Sequence, residues 1–256
     1  MFSSNFGIEI EFTGITRERA AEVAAKHLDG TIVRNCSVLA SDSRLWKFTY
    51  DSSIMAQKRE RGKITHADRS YGVELVSPIL NYHEDIETLQ ELVRKLRKAG
   101  GITNSTTGIH IHLDGASHTA RSVRNFVNIV ASKNDLFYKA LQIEPDRMRY
   151  CKKFDEYLVV EMNKIKPKTL EDIATIWYQG YTSDRHRRYH QSRYHFLNLH
   201  SFFYGNRTLE LRGFNSVLHA GKIRSYIVLA LTLNHQALTQ KYQSAKSRKS
   251  RMRNSL

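Results

Sequence analysis

An α+β fold built on a mostly antiparallel sheet is what this sequence predicts. Three observations carry the expectation. Short segments of apolar–polar alternation recur along the chain and read as half-buried strands. Segments of helical period fall between them, but not in the regular strand–helix–strand order that a parallel sheet requires. No Pro- or Gly-rich linker and no internal repeat divides the 256 residues, whose only prolines are Pro78, Pro145 and Pro167. Residues 1–240 are therefore expected to form one folded domain around one core, followed by a basic, disordered tail over 241–256.

Taken in order, Phe6–Thr13 alternates and is the first predicted strand. Thr16 can cap a helix over Arg17–Leu28, because its hydroxyl can accept from a free N–H of the first turn. Gly30–Arg34 reads as a short strand and Leu45–Asp51 as a longer one; Lys58-Arg59-Glu60-Arg61-Gly62-Lys63 reads as a solvated hairpin tip. The strand Gly72–Ser77 ends at Pro78, which cannot donate to a ladder. Ile86, Leu89, Val93 and Leu96 mark one face of a helix over His83–Ala99, stopped by Gly100-Gly101. Gly108–Asp114 alternates cleanly. Val123, Phe126, Val127 and Val130 mark a further helix, predicted to run on through Leu136, Phe137 and Leu141. Thr169 caps Leu170–Trp177. Two strands, Tyr194–His200 and Arg207–Gly213, are expected to meet at a turn of Tyr204-Gly205-Asn206. The last helix, about Gly221–Tyr242, is apolar on most sides from Ile227 to Leu233, so it is expected to be central and buried. Trp46 and Trp177 are assigned to the core, as is Cys151 as a small buried side chain.

Composition narrows the function classes. A mean hydropathy of −0.50 with 41% hydrophobic residues excludes a fibrous or disordered chain. The run Ile227–Leu231 is too short to cross a bilayer. Two cysteines, Cys36 and Cys151, cannot build a disulfide framework or a thiolate zinc site. With no signal-like segment before Phe6, a reducing, cytoplasmic setting is expected. The net charge is +15. Lys241, Lys246, Arg248, Lys249, Arg251 and Arg253 put six of those charges in the tail. Such a balance favours anionic partners, so an acidic protein or nucleic acid is a candidate partner of the tail.

The chemistry lies in which residues share a face. Side chains two apart in a strand point the same way. Glu9 and Glu11 therefore stand opposite Ile8, Ile10 and Phe12; Glu74 stands opposite Val73 and Leu75; His110, His112 and Asp114 stand opposite Ile109, Ile111 and Leu113; and Glu210 and Arg212 stand opposite Leu209 and Leu211. A single charged face is ordinarily solvated. Four such strands, packed through their apolar faces on helices, would gather four glutamates, two histidines, an aspartate and an arginine on one surface. Close carboxylates repel unless cations hold them. Oxygen ligands with a minority of imidazole suit Mg²⁺ or Mn²⁺ better than Zn²⁺, and the charge suffices for more than one ion.

Six segments occur here in the order found in the amidoligase family of the carboxylate–amine ligase superfamily, which includes glutamine synthetase and glutamate–cysteine ligase. They are Phe6–Phe12, Trp46 through Asp51-Ser52-Ser53-Ile54, Gly72–Pro78, Gly108–His112, Arg193-Tyr194 with Asn198, and Thr208–Arg212. The sequence resembles that family from about Phe6 to Leu238, departing from it at Asp51-Ser52-Ser53, where the family usually reads Asp-Gly-Ser. The resemblance implies a curved, glutamine-synthetase-like catalytic sheet and ATP-dependent amide formation through an acyl phosphate. It places Glu9, His110 and Glu210 around a metal at the nucleotide phosphates, and Glu11 and Glu74 around a second metal that orders the carboxylate. It puts Arg212 on the transferred phosphoryl group, His112 and Asn198 near the nucleotide, and Arg149 near the substrate carboxylate. ATP and Mg²⁺ or Mn²⁺ are the implied cofactors, with a carboxylate and an amine of an amino acid, peptide or protein as substrates.

A base must take the proton of the amine, and Asp51 and Asp114 both have the right chemistry. Arg185-His186-Arg187-Arg188-Tyr189-His190 is either an exposed connection or a grip on ATP phosphates or an acidic substrate. Two other functions compete. A metal-dependent nuclease or phosphodiesterase would use the same carboxylates without ATP, and a non-catalytic module could bind polyanions on the same fold.

Overall fold

Alternation becomes a sheet around a central strand. In a computed structural model, which describes residues 5–205 and 207–241, β1 (Asn5–Phe12) turns Ile8, Ile10 and Phe12 into the core and leaves Glu9 and Glu11 on the opposite face. The other strands are β2 (Thr31–Val33), β3 (Ser37–Leu39), β4 (Leu45–Thr49), β5 (Gln57–Glu60), β6 (Lys63–His66), β7 (Val73–Val76), β8 (Leu80–Asn81), β9 (Gly108–Asp114), β10 (Leu197–Asn198) and β11 (Thr208–Asn215). The main sheet runs β10-β11-β9-β1-β7-β4-β3-β2, with β8 also on β1, and every pairing is antiparallel. β5 and β6 form a separate exposed hairpin with Arg61-Gly62 at its tip, as expected for this stretch.

The helices are α1 (Arg17–His27), α2 (Tyr82–Lys98), α3 (Ala120–Ser132), α4 (Asn134–Ala140), α5 (Glu156–Ile165), α6 (Leu170–Trp177), α7 (His200–Phe203) and α8 (Ala220–Thr239). Thr16, Asn81, Thr119 and Thr169 cap α1, α2, α3 and α6 through their side chains. α1 lies on β3 and β4, α2 lies between α1 and α8, and α8 touches β9 and is flanked by α2 and α3. Together they seal the apolar face, where Ile10, Phe12, Leu75, Ile109, Ile111 and Leu211 are fully buried. Trp46, Trp177 and Cys151 are buried in the same core. None of the helices among the described residues is long and apolar enough to cross a membrane.

Four expectations change. The helix predicted to run from Val123 through Leu141 breaks at Lys133: the Ser132 hydroxyl bonds back to the Ile129 carbonyl, and Lys133 leaves helical geometry. The break lets Phe137 of α4 stack on Phe196. The strand predicted over Tyr194–His200 shrinks to Leu197–Asn198, because Asn198 Oδ1 accepts from the His200 N–H and turns the chain into α7. Tyr204 and Gly205 follow that helix; Asn206 of the predicted turn lies outside the described residues. α8 ends at Thr239 and is buried on one side only, through Ile223, Ile227, Ala230, Leu233 and Ala237, while Val228 is exposed because α8 closes the outer layer. The end of that predicted helix at Tyr242 and nearly all of the basic tail lie outside the described residues.

Candidate metal centre and cleft

Register brings the polar face together. Glu11 pairs with Glu74 across β1 and β7, Glu9 with His110 across β1 and β9, and His112 with Glu210 across β9 and β11. Since all six side chains leave the same face, these pairs form a diagonal band over four strands. His110 Nδ1 lies 2.8 Å from Glu9 Oε2 and 3.6 Å from Glu210 Oε1, and His110 Nε2 lies 3.7 Å from Glu11 Oε1. Three groups have ligand atoms within 4.8 Å of one another: Glu9, His112 and Glu210; Glu9, Glu74 and His110; and Glu11, Asp51 and Glu74.

The protein aims these carboxylates from behind. The Gly108 N–H donates to Glu11 Oε2 at 2.6 Å, the Thr49 hydroxyl to Glu74 Oε2 at 2.8 Å, and the Asn198 amide to Glu210 Oε2 at 2.6 Å. Arg212 Nη1 donates to Glu210 Oε1 at 2.5 Å. Arg212 reaches this position from a bulge: β11 pairs Leu211 with Ile111 but Phe214 with Ile109, leaving an extra residue at Arg212-Gly213. At Gly213 a Cβ would stand 2.0 Å from the Phe196 ring, so only glycine lets that ring approach.

Electrostatics separates the carboxylates. Burial and the neighbouring Glu9 push Glu74 up to about 8. Burial also raises Glu11, outweighing the His110 and Arg147 charges. Burial works against the charged form of Glu210 too, but Arg212, His112 and His110 prevail and lower it to about 2. Glu9 is likewise kept low, despite burial, by His112 and His110. Burial disfavours the His112 imidazolium, yet Glu9 and Glu210 lift it to about 9. His112 Nε2 is sealed from solvent and pairs with Glu9 Oε1 at 3.2 Å. Carboxylates and imidazoles whose ligand atoms lie this close together, two of the carboxylates buried, fit a divalent cation.

A cleft of about 450 Å³ opens beside the band. Its floor carries Glu11, His110, Arg147 and Arg212; Asp51, Ser52, Ser53 and Thr106 line one stretch, and Tyr150, Tyr189, Arg193 and Tyr194 another. Asp51 thus faces the cleft, with its Oδ1 accepting from the Ser53 N–H. Asp114 is exposed and instead caps a turn at the Ala116 N–H. Asn198 is buried behind Glu210 rather than in the cleft lining. Arg149 is exposed, stacked over Tyr150 outside the lining residues.

Sequence reasoning missed Arg147. Its side chain is buried, donates to the Phe214 and Arg212 carbonyls, and lies against Gly108, where a Cβ would come within 2.0 Å of Nη2. The segment Pro145–Tyr150 is a short turn with no strand or helix period, so pattern could not distinguish Arg147 from Arg149. Tyr150, in the same turn, was missed as a lining residue, whereas the segment Arg185–His190 brings Tyr189 to the cleft.

Among curated proteins none matches the chain. A family model described as "Putative amidoligase enzyme" matches residues 3–234, and the chain belongs to that amidoligase family.

Proposed function

We propose that the cleft joins a carboxylate to an amine at the expense of ATP, on a glutamine-synthetase-like catalytic domain spanning residues 1–240. The observation that carries this reading is the conjunction of three carboxylate-containing ligand groups with a buried arginine, Arg212, at one cleft of a chain from an amidoligase family. Glu9 and Glu210, with His110 and His112 beside them, would hold one Mg²⁺ or Mn²⁺, and Glu11 and Glu74 a second. Bound there, the cations would neutralise phosphate oxygens and align donor with acceptor.

The remaining roles fall to the protein's own groups. The substrate carboxylate attacks the γ-phosphorus of ATP, ADP leaves, and an acyl phosphate forms. Arg212 takes up charge on the moving phosphoryl group, with a planar fork that Glu210 and the Tyr150 carbonyl hold in place. The amine nitrogen then attacks the acyl carbon, the bond to the phosphate oxygen breaks, and Asp51 takes the proton from nitrogen. Asp51 is preferred to Asp114 because it lines the cleft. Asn198 holds Glu210 in register from behind. Two unpaired cysteines and a need for ATP suit a reducing cytoplasm.

The test is calorimetry of Mn²⁺ and ATP on the wild-type chain, Glu9→Gln and Glu210→Gln. It is paired with mass spectrometry for a product one amine heavier, less water, in the presence of ATP. Metal-dependent ATP binding that both variants lose, together with that product, supports the ligase. Undiminished, metal-independent ATP binding in both variants would sink the metal assignment. Phosphodiester cleavage without ATP would replace the ligase with a nuclease.

A further inference from the structure

Beyond the band of carboxylates, the mouth of the cleft carries a continuous ladder of guanidinium groups and tyrosine rings. Arg149 lies 4.8 Å over the Tyr150 ring, and Tyr150 meets Tyr194 edge-on at 5.6 Å. Arg193 stands over Tyr194 at 5.4 Å and over Tyr189 at 5.5 Å, and Arg188 lies over the far ring, Tyr189, at 5.2 Å. Arg212 stands 6.0 Å from the Tyr194 ring, which joins the ladder to the site. Among the described residues, no carboxylate lies within ion-pairing distance of Arg149, Arg188 or Arg193, whereas nearby Arg185 and Arg187 are paired with Glu171 and Asp184. Three guanidinium groups are thus held in place by aromatic rings, with their charge left for something else. The middle of the ladder lines the cleft, and Arg149 and Arg188 extend it on to the exposed surface.

We propose that this ladder is a docking platform for an extended acidic polypeptide, one of whose carboxylates enters the cleft. The choice of occupant follows from charge and reach. A single small acid would need only the arginines at the floor, whereas unpaired cations spread from the floor to the exposed rim match a run of carboxylates. Planar guanidinium groups bind carboxylates through two parallel hydrogen bonds. Nucleic acid has the complementary charge but offers no carboxylate for the cleft, and only this step of the inference rests on the ligase reading. The cleft would therefore select acids flanked by further acids, because the rim arginines hold the neighbours while the reacting carboxylate is placed.

The experiment measures binding of a fluorescein-labelled, end-blocked oligoglutamate by anisotropy across a salt series, for the wild-type chain and for R149Q/R188Q. Both substitutions are on exposed side chains, and Mn²⁺ binding of the double variant should equal that of the wild type, showing an intact site. Affinity for oligoglutamate should fall about five-fold in the double variant, with a shallower salt slope, as expected for two exposed charge contacts. Equal affinity and equal slope in the two proteins would overturn the platform. A single-stranded oligonucleotide of matched charge that bound more tightly than oligoglutamate, and lost affinity in the double variant, would overturn the choice of a polypeptide. Oligoglutamate binding with the expected losses, in a protein that shows no ATP-dependent product, would leave the platform standing and remove the ligase reading instead.

Discussion

Glu74, half-buried, and Glu210, buried, share one face of one sheet, yet one is held as an acid and the other as a base. The cause is local. Glu210 has the Arg212 guanidinium at 2.5 Å, while Glu74 has a hydroxyl for support and carboxylates for neighbours. Glu74 is pushed from 4.5 up to about 8, and His112 from 6.5 up to about 9. In each case the folded chain keeps a proton that the unfolded chain has lost. The stability of the metal-free protein should therefore fall as pH rises, through Glu74 from about 4.5 to 8 and through His112 from about 6.5 to 9. Thermal melts of the chelator-treated protein between pH 6 and 9 check this, and Mg²⁺ or Mn²⁺ should flatten the profile by replacing the protons. A melting temperature that rises with pH without metal would contradict the arrangement. At the same scale, Arg212→Lys keeps a charge but loses the fork. ATP affinity should stay within a few-fold while turnover falls roughly 10²–10³, a barrier of about 3–4 kcal/mol. Unchanged turnover would remove Arg212 from the reaction.

At the scale of the element, strand positions are legible because period two has only two phases. Once Ile8 and Ile10 are assigned to the core, Glu9 and Glu11 must face away. Bulges and caps break that logic. The extra residue at Arg212-Gly213 is invisible to alternation, and so is the Asn198 bond that converts a predicted strand into α7. Two glycines test how close packing sets the site. Gly108 opens β9, and its missing Cβ makes room for the Arg147 guanidinium, which is pinned by the Phe214 and Arg212 carbonyls. Gly108→Ala should cost roughly 1–3 kcal/mol and shift Arg147 against Glu11. Gly7 on β1 would place a Cβ 3.5 Å from the His112 Cβ, an ordinary contact, so Gly7→Ala should be within about 0.5 kcal/mol of the wild type. Denaturant melts that rank these two the other way would show that Arg147 is not confined as described.

For the whole molecule, the dominant sequence feature is its +15 charge, much of it in the tail. The last described helix ends at Thr239, so a chain of residues 1–240 retains every described element. Its melting temperature should match that of the full chain. Its affinity for polyanions should be lower and its salt slope shallower, because each of the six tail cations that meets an anion releases a counterion. Identical slopes in DNA, RNA and acidic-protein titrations would leave the tail without a part in binding.

The antiparallel α+β class, the main strands, and the shared polar face of Glu9, Glu11, Glu74, His110, His112 and Glu210 were legible in the residues alone, since periodicity dictates which way a side chain points. So was the resemblance to the amidoligase family, which the match over residues 3–234 bears out. Tertiary structure alone decided the rest. Register set which carboxylate meets which imidazole, so that Glu210 lies opposite His112 rather than His110. Irregular chain between the regular elements supplied Arg147 and Tyr150, and it chose Asp51 over Asp114 as the aspartate that faces the cleft. Periodicity is a local property of a strand, whereas register and loop path depend on contacts between residues as distant as Glu11 and Ser216, whose hydroxyl bonds to the Glu11 carbonyl across most of the chain.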